Sequence, residues 1–477
     1  MATLPTANIN AAPTHAMHLG DHIRQDPRIA QAKALIAAAV ADHTSKMNRP
    51  TPPIEALLPS QTTMLDRLAK TRGAPTLWPY LSSGAGNGPF VELIDGSVKL
   101  DFIGGIGVHG GGHAWPAQID AAVDAAIEDT VMQGNLQQHP PSVKMAEHLI
   151  ALATAGGAAV DRCLISTSGA MANENALKIA LHAKTPANRI LAFDQAFAGR
   201  TLALASLTDR AKYRQGLPLT LDVDYLPFRD PHHPQRSQRW AVDELRRLLD
   251  RHGDRYAAFW AEPIAGEGGY YAGSHEFFRA LCEPLRQANI PIIFDEVQAF
   301  GRTSRPFAFS HYRLDEFADI VTVGKITQAC ATLWRESLHP TAPILSQTFT
   351  GSSASIACGL AILKGMEASG CFGDDGENMK RHAYFADKLS SLAQRFPGQV
   401  KGPWGEGMMI AFTPGDGSFE TAKKLVDDLY AAGLLAFLCG GNPTRVRFLP
   451  PPIVTTTAHI DMAIDILADV LSHTNNK

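Results

Sequence analysis

Three short polar segments follow apolar runs of the chain and carry residue types that do chemistry. Lys325 follows the run 320–323, Asp295 closes the run 290–294, and Ser168 opens a turn of small residues after the run 162–166. A lysine at a buried strand end is costly unless it is paired or used covalently, and its amine forms imines with aldehydes. A solvated lysine just beyond the sheet is the alternative for this residue taken alone.

The other two segments each allow a chemical and a structural interpretation. Asp295 is suited to face a cationic ring nitrogen, whereas helix capping by Asp295 or Glu296 is the alternative. The N–H groups of Gly169 and Ala170, with the hydroxyl of Ser168, are suited to hold a phosphate at a helix N-terminus. A tight packing turn is the alternative there. Together the three segments supply a phosphate site, an anion for a ring nitrogen and an amine for an aldehyde, which pyridoxal 5'-phosphate (PLP) requires.

The chain that must position these residues is long and weakly charged. It has 477 residues, 45% of them hydrophobic and 19% charged, with a net charge of −4. This composition excludes a disordered or coiled-coil protein and indicates neither nucleic acid nor an anionic membrane as a partner. The charge-free stretch 337–363 is too rich in proline, serine and threonine to span a bilayer. Six scattered cysteines form no zinc motif, so we expect no metal and a cytoplasmic protein with reduced thiols.

The hydrophobic pattern predicts an α/β protein. From about residue 105 to 365, strand, turn and helix patterns alternate, which is typical of a largely parallel sheet with helical crossovers. An amphipathic helix is predicted from Asp26 to about Ser45, and a β-hairpin over 90–101. Helices near 376–394 and 418–432, with strands at 407–413 and 445–449, predict a smaller α+β domain. The predicted units are an N-terminal arm with one amphipathic helix (1–50), the N-terminal part of the small domain (51–104), a large domain (105–365) and the C-terminal part of the small domain (366–477).

Eight motifs, in their order and spacing, resemble those of the class III aminotransferases of the aspartate-aminotransferase fold, which is fold type I. The motifs are DFIGGIGVHGGGHAWP (101–116), SGAMANENALK (168–178), FAGRT (197–201), EPIAGEGG (262–269), DEVQAFGRT (295–303), DIVTVGK (319–325), TFTGS (348–352) and VRFLPPP (446–452). The resemblance covers roughly residues 75–475. It implies a large PLP-binding domain with a mostly parallel central sheet, and a smaller α+β domain.

The resemblance also implies a role for each matching residue at the cofactor. Lys325 would form the imine with the cofactor aldehyde and later move a proton, and Asp295 would keep the ring nitrogen protonated. The phosphate would be held by Ser168, Gly169 and Ala170, and the two ring faces would be covered by Phe197 and Val297. The ring hydroxyl would contact Gln298. Thr348 would reach the phosphate in the neighbouring subunit. The last contact implies a homodimer. Without the motifs, Phe197 and Val297 would be interpreted as ordinary core residues.

Within the family, the sequence is similar to the lysine ε-, 4-aminobutyrate and ornithine aminotransferases. By this resemblance Arg200 binds a substrate carboxylate, and Arg447 binds the α-carboxylate of the 2-oxo acid. Glu267 would pair with Arg447 while an ω-amine is bound, because an unpaired arginine in a partly dry site is costly. The carboxylate of glutamate or 2-oxoglutarate would then displace Glu267. Because Arg445 shares the strand face of Arg447, the alternative is that both are surface charges.

The implied reaction is amino transfer from an ω-amine donor (lysine, 4-aminobutyrate or ornithine-like) to 2-oxoglutarate by a ping-pong mechanism. Another PLP reaction on the same fold, such as that of an aminomutase, epimerase or decarboxylase, is an alternative. A non-catalytic α/β binding protein is a second one. Three departures from the family pattern, Ala198, Ala265 and Trp334, are expected near the substrate entrance and the subunit boundary.

Overall fold

The structure is a computed structural model that describes residues 18–474. The predicted N-terminal helix spans Pro27–Thr44, and the carboxylate of Asp26 accepts a hydrogen bond from the Arg28 N–H at its start. Such an N-cap satisfies one of the N–H groups that have no partner within a helix. The first 17 residues of the predicted arm lie outside the described residues.

Helices and strands alternate through most of the chain. The helices of at least six residues are Leu19–Arg24, Pro27–Thr44, Leu58–Arg72, Pro116–Ala126, Pro140–Thr154, Gly169–Ala183, Leu202–Leu207, Pro234–His252, His275–Gln287, Ser353–Ala368, Glu377–Arg395, Phe419–Ala432 and Thr457–Thr474. The strands are Ser82–Asn87, Phe90–Leu93, Val98–Asp101, Met132–Gln133, Arg162–Ser166, Arg189–Phe193, Asp222–Leu226, Tyr256–Ala261, Ile264–Ala265, Tyr271–Ala272, Ile292–Asp295, Ile320–Val323, Cys330–Trp334, Gly351–Ser352, Val400–Glu406, Met409–Pro414, Leu434–Leu435, Phe437–Gly440 and Thr444–Phe448.

A seven-stranded sheet lies at the centre and confirms the predicted α/β fold. Its spatial order is Arg162–Ser166, Cys330–Trp334, Ile320–Val323, Ile292–Asp295, Tyr256–Ala261, Arg189–Phe193, Asp222–Leu226. Neighbouring strands are parallel except for Cys330–Trp334, which is antiparallel to both of its neighbours. Helices cover the sheet, so nearly all residues of its inner strands are buried and most of them are apolar.

The sequence missed two strands of this sheet. Asp222–Leu226 is an edge strand with only one fully buried residue, so it lacks the apolar run of an inner strand. The strand Cys330–Trp334 was not predicted, and Trp334 was expected near the substrate entrance or the subunit boundary. In the structure Cys330 lies opposite Ser166, at the end of the sheet where the polar segments lie, and Trp334 lies opposite Arg162 at the other end. Four residues of strand separate them by about 13 Å, so Trp334 does not border the cavity of its own chain, and a place at the subunit boundary stays a prediction.

A second apolar core joins the two ends of the chain. The predicted hairpin forms from Phe90–Leu93 and Val98–Asp101, and Leu434–Leu435 adds to it in parallel. Phe102 and Phe448 pack in the same core. These contacts agree with a small domain built from both chain ends, whereas the boundaries 51–104, 105–365 and 366–477 stay a prediction.

The predicted C-terminal helices and strands are present, and their sheet has two further strands, Val400–Glu406 and Phe437–Gly440. The strands expected at 407–413 and 445–449 are Met409–Pro414 and Thr444–Phe448. The strand Val400–Glu406 was missed because Gly402, Pro403 and Gly405 interrupt its pattern. Within residues 18–474, no helix is both long enough and apolar enough to cross a membrane.

Candidate active site

The carboxyl ends of the parallel strands bring the polar segments of the sequence together. Lys325 follows Ile320–Val323 after Gly324, and its backbone has a φ of 54°, which non-glycine residues rarely adopt. Its side chain is directed into the protein, and burial lowers the pKa of its amine from the ordinary value, although the nearby Glu267 opposes that effect. A lowered pKa increases the neutral fraction of the amine, which is the form that attacks an aldehyde. The alternative of a solvated lysine is therefore wrong.

Asp295 lies within a buried hydrogen-bond network on the neighbouring strand. Its carboxylate accepts hydrogen bonds from the Val297 N–H at 2.8 Å and from Asn173 Nδ2 at 2.7 Å. Asn173 in turn accepts one from Thr322 Oγ1 at 2.7 Å. Burial raises the pKa of Asp295 to about 6, although these hydrogen bonds and Lys325 oppose the rise. A cation facing this carboxylate would favour its ionised form.

The neighbouring carboxylate has the capping role that was the alternative for this pair. Glu296 is fully buried, and its Oε1 accepts a hydrogen bond from the Phe309 N–H at 2.8 Å. Phe309 lies in the first turn of the short helix Ala308–His311. The two acids therefore point to different partners: Asp295 towards the cavity, and Glu296 towards a helix N-terminus.

The phosphate segment forms the N-terminus of the helix Gly169–Ala183. Ser168 is its N-cap and accepts a hydrogen bond from the Met171 N–H at 3.2 Å. Gly169 and Ala170 are the first two residues of the helix, so their N–H groups have no partner within it. Gly169 also packs closely on Val297, because a Cβ at position 169 would lie 2.7 Å from Val297 Cγ1. The same segment is therefore both a tight packing turn and a helix N-terminus whose N–H groups are suited to hold an anion.

A cavity of about 320 Å³ opens between these segments. It is lined by Gly169, Ala170, Asn173, Phe197, Ala198, Gly199, Arg200, Glu262, Asp295, Val297, Gln298 and Lys325. These residues fit PLP: a helix N-terminus for the phosphate, a buried carboxylate for the ring nitrogen and a lysine amine for the aldehyde. Ala198 belongs to the lining, and its N–H donates to Thr208 Oγ1 at 3.0 Å.

Glu267 and Arg447 form a buried ion pair beside this cavity. Arg447 Nη2 donates to Glu267 Oε1 at 2.6 Å, and Arg447 Nη1 donates to Gln298 Oε1 at 3.2 Å. The side chain of Arg447 has an exposed fraction of 0%, against 18% for Glu267. The arginine is therefore the fixed member of the pair, and the glutamate is the one that solvent or a ligand can reach.

The alternative that both arginines of this strand are surface charges is wrong. Arg445 has an exposed fraction of 3%, and its guanidinium lies between the rings of Tyr271 and Trp404. Arg200 differs from both, because its guanidinium is exposed at the cavity and stacks on the ring of Tyr213 at 4.2 Å. Within residues 18–474, no carboxylate forms an ion pair with Arg200.

Thr348 lies outside the cavity of its own chain. It is exposed, and its main chain packs on Gly134. The next residue, Phe349, has an exposed fraction of 42%. The structure thus brings together every predicted site residue except Thr348, and Ser168 contributes through the helix N-cap.

Sequence reasoning missed two residues of the site. Asn173 orients Asp295, and Glu262 accepts the N–H groups of Phe197 at 3.1 Å and Gly266 at 2.9 Å. Burial raises the pKa of Glu262 to about 8, with a smaller contribution from Asp295. Both lie within motifs that the sequence contains. The sequence signal that could have identified them is a polar side chain on the inward face of a buried element, because a buried polar group requires hydrogen-bond partners.

The family model of the class-III aminotransferases matches residues 77–471 of this chain. The chain therefore belongs to the class-III aminotransferase family and is a PLP-dependent transaminase. The family assignment agrees with the cavity, because a lysine, a buried aspartate and a helix N-terminus are the groups that its cofactor needs. PLP, when bound, withdraws electrons from the carbon that carries the transferred amino group.

Characterised relatives extend over most of the chain. The acetylornithine aminotransferase of Methanocaldococcus jannaschii is 30% identical over 398 residues, which are 81% of this chain and 92% of that protein. The 2-aminoadipate transaminase of Pseudomonas putida is 32% identical over 405 residues, covering 80% of this chain and 93% of that protein. Among solved structures, the lysine aminotransferase of M. tuberculosis in its internal aldimine form has a TM-score of 0.75 and 25% identity, covering 86% of this chain and 99% of that one.

Proposed function

We propose that this transaminase takes the amino group of an ω-amine and gives it to 2-oxoglutarate in a ping-pong reaction. The observation that carries the proposal is the ion pair of 2.6 Å between Glu267 and the fully buried Arg447. A paired Arg447 is not available to an α-carboxylate, which suits a donor that has no carboxylate near the reacting amine. A 2-oxo acid would bring its own carboxylate and replace Glu267 in a bidentate contact.

The remaining residues of the cavity have complementary tasks. Lys325 would hold the cofactor and then move a proton at the reacting carbon through its Nζ. Asp295, oriented by Asn173, would keep the ring nitrogen protonated. Arg200 is free to bind the distal carboxylate of the substrate, because its stacking on Tyr213 leaves the in-plane N–H donors available.

We infer that the enzyme is a homodimer whose sites each receive Thr348 from the other subunit. The exposed apolar side chains Val131, Met132, Leu136 and Phe349 lie around the paired strands Met132–Gln133 and Gly351–Ser352, close to Thr348 in the chain. A contiguous exposed apolar patch marks an interaction surface.

A cytoplasmic location is supported by six cysteines that all remain free thiols.

The test is a donor panel with the purified, PLP-loaded enzyme. The donors are lysine, ornithine, 4-aminobutyrate and, because of the named relatives, N-acetylornithine and 2-aminoadipate; the acceptors are 2-oxoglutarate and pyruvate. We expect turnover of an ω-amine with 2-oxoglutarate, and none after Lys325→Ala. Product formation without any oxo acid would indicate a mutase, epimerase or decarboxylase. A colourless protein that gives no spectral response to PLP would indicate a binding protein.

A second arm of the panel tests the ion pair. Glu267→Ala leaves Arg447 free at all times, so the variant is expected to accept α-amino acids such as glutamate better relative to ω-amines. The measurement is the ratio of the two half-reaction rates, followed by the visible absorption of the cofactor. An unchanged ratio contradicts the role of Glu267.

A further inference from the structure

Three arginines surround the turn that carries Glu267, and only one of them contacts its carboxylate. Arg447 pairs with the side chain. Arg210 Nη2 donates to the main-chain carbonyl of Glu267 at 2.8 Å, and Arg445 Nη1 donates to the main-chain carbonyl of Gly269. A rotating glutamate side chain would break the first contact and leave the other two in place.

The turn needs outside contacts because glycine makes up most of it. Glu267 lies among Gly266, Gly268 and Gly269, and glycine has the largest backbone freedom of any residue. The turn closes at Tyr270, whose φ is 59° and whose N–H donates to the Ala265 carbonyl at 2.8 Å. Glu262 holds the start of the turn by accepting the Gly266 N–H at 2.9 Å. Without restraint at the following residues, the turn would be free to move and carry Glu267 away from its position opposite Arg447.

Arg445 is held rigidly enough to provide that restraint. Its guanidinium lies 4.2 Å from the ring centre of Tyr271 and 4.4 Å from that of Trp404. Stacking occupies the two faces of a guanidinium and leaves the donors in its plane. The donor that points to Gly269 is therefore fixed in position.

Arg210 reaches the turn from the loop that follows the helix Leu202–Leu207. It fits against Gly441, where a Cβ would lie 2.5 Å from Arg210 Nη1. Gly441 follows the strand Phe437–Gly440, and Gly440 in turn packs on Gly269. Arg210 and Arg445 thus connect the Glu267 turn to the strands of the C-terminal sheet.

We propose that Arg210 and Arg445 are positioning residues that fix the main chain of the Glu267 turn. The opening of the Glu267–Arg447 pair is then a rotation of one side chain, with the turn as its fixed base. This assignment rests on the proposed function, because it explains how one site alternates between an ω-amine and a 2-oxo acid. Neither arginine lines the cavity that Lys325 faces.

Hydrogen exchange of the PLP-loaded enzyme tests the restraint directly. We expect the Tyr270 amide to exchange several-fold faster in Arg210→Met and in Arg445→Met than in the wild type. Arg214→Met is the matched control, because Arg214 also donates to a main-chain carbonyl, that of Thr208, without contacting the turn. Unchanged exchange at Tyr270 in Arg210→Met overturns the proposal, and this arm does not depend on whether Arg445→Met folds.

Half-reaction kinetics test the consequence for selectivity. Arg210→Met is expected to shift the ratio of ω-amine to glutamate rates towards that of Glu267→Ala, and Arg445→Lys, which keeps a cationic donor, is expected to retain most of the wild-type ratio. Equal losses with both donors would indicate general damage and contradict a positioning role. The exchange arm uses no substrate. If the wild type rejects every ω-amine, the proposed function fails, whereas unchanged exchange in an active enzyme removes only the positioning role.

Discussion

Three buried carboxylates follow the ends of two neighbouring strands, and each meets the cost of burial differently. Asp295 accepts hydrogen bonds from Asn173 and the Val297 N–H. Glu262 bridges two main-chain N–H groups. Glu296 accepts the Phe309 N–H at Oε1, and its Oε2 has no hydrogen-bond partner among the described residues. A buried charge without full compensation raises the pKa and lowers the stability of the ionised protein.

Glu296 makes the pH dependence of stability testable. Burial raises its pKa to about 8 from an ordinary 4.5, so between these values the folded protein binds more protons than the unfolded one. Stability from this group is therefore lost as the pH rises through that window. We expect Glu296→Gln to unfold at a higher temperature than the wild type at pH 8.5, because its free energy of unfolding rises by on the order of 2 kcal/mol. At pH 5 the free energy of unfolding should change little.

The control for this prediction is the exposed Glu55, where Glu55→Gln removes a charge without burial. It is expected to change the unfolding temperature equally little at both pH values. A Glu296→Gln variant whose advantage is the same at pH 5 and pH 8.5 would show that Glu296 does not titrate in this window.

At the scale of elements, the site depends on how the helix Gly169–Ala183 meets the strand that ends at Asp295. The two approach closely enough that only glycine fits at position 169, since a Cβ there would collide with Val297. The close approach brings the N–H groups of the first turn to the cavity, where an anion can reach them.

Gly169→Ala is expected to weaken PLP binding about tenfold, because overpacking of this kind costs about 1–3 kcal/mol and displaces the helix terminus. The dissociation constant is measured by fluorescence or absorbance titration of the apoenzyme. Val297→Ala removes the colliding methyl groups, so Gly169→Ala is expected to cost much less affinity in a Val297→Ala background than in the wild type. Val297→Ala alone is the reference, because Val297 is also expected to pack on the PLP ring. Gly253→Ala, at a position with no atom within 4 Å of the added Cβ, is the control. An equal loss of affinity in both backgrounds contradicts this explanation.

At the scale of the whole molecule, the proposed dimer means that the cavity of one chain lacks a residue that the other chain supplies. Thr348 is exposed beside an apolar patch and lies outside the cavity that Lys325 faces. If it contributes to the neighbouring site, two defective chains can complement each other, because a two-fold dimer places the same residue in the opposite site.

We expect mixed dimers of Lys325→Ala and Thr348→Asp chains to be active, although each homodimer is nearly inactive. Each mixed dimer has one intact site of two, so the purified mixed dimers should show about half of the wild-type activity. The measurement is turnover after co-expression with two different affinity tags and sequential purification. If Thr348 served its own chain, both sites of the mixed dimer would be defective, and no activity would return.

Much of this arrangement could be predicted from the sequence because it is local or repeated along the chain. The apolar runs 162–166, 189–193 and 320–323 each became the predicted strand, and Asp26 became an N-cap. The edge strand Asp222–Leu226 and the strand Val400–Glu406 were missed, because partial burial or glycine and proline obscure the period of their side chains.

By itself the sequence determined the fold class, the family and most of the residues that line the cavity, since these follow from motifs in a fixed order. Only the tertiary structure decided which partner each residue has. Asn173 lies 122 positions before Asp295, and Glu267 lies 180 before Arg447. It also separated the two acids after Phe294, placed Trp334 at the strand end away from the cavity and packed Arg445 between aromatic rings. Such partnerships depend on the packing of distant segments, where buried polar groups require partners, and no local pattern of residues encodes that choice.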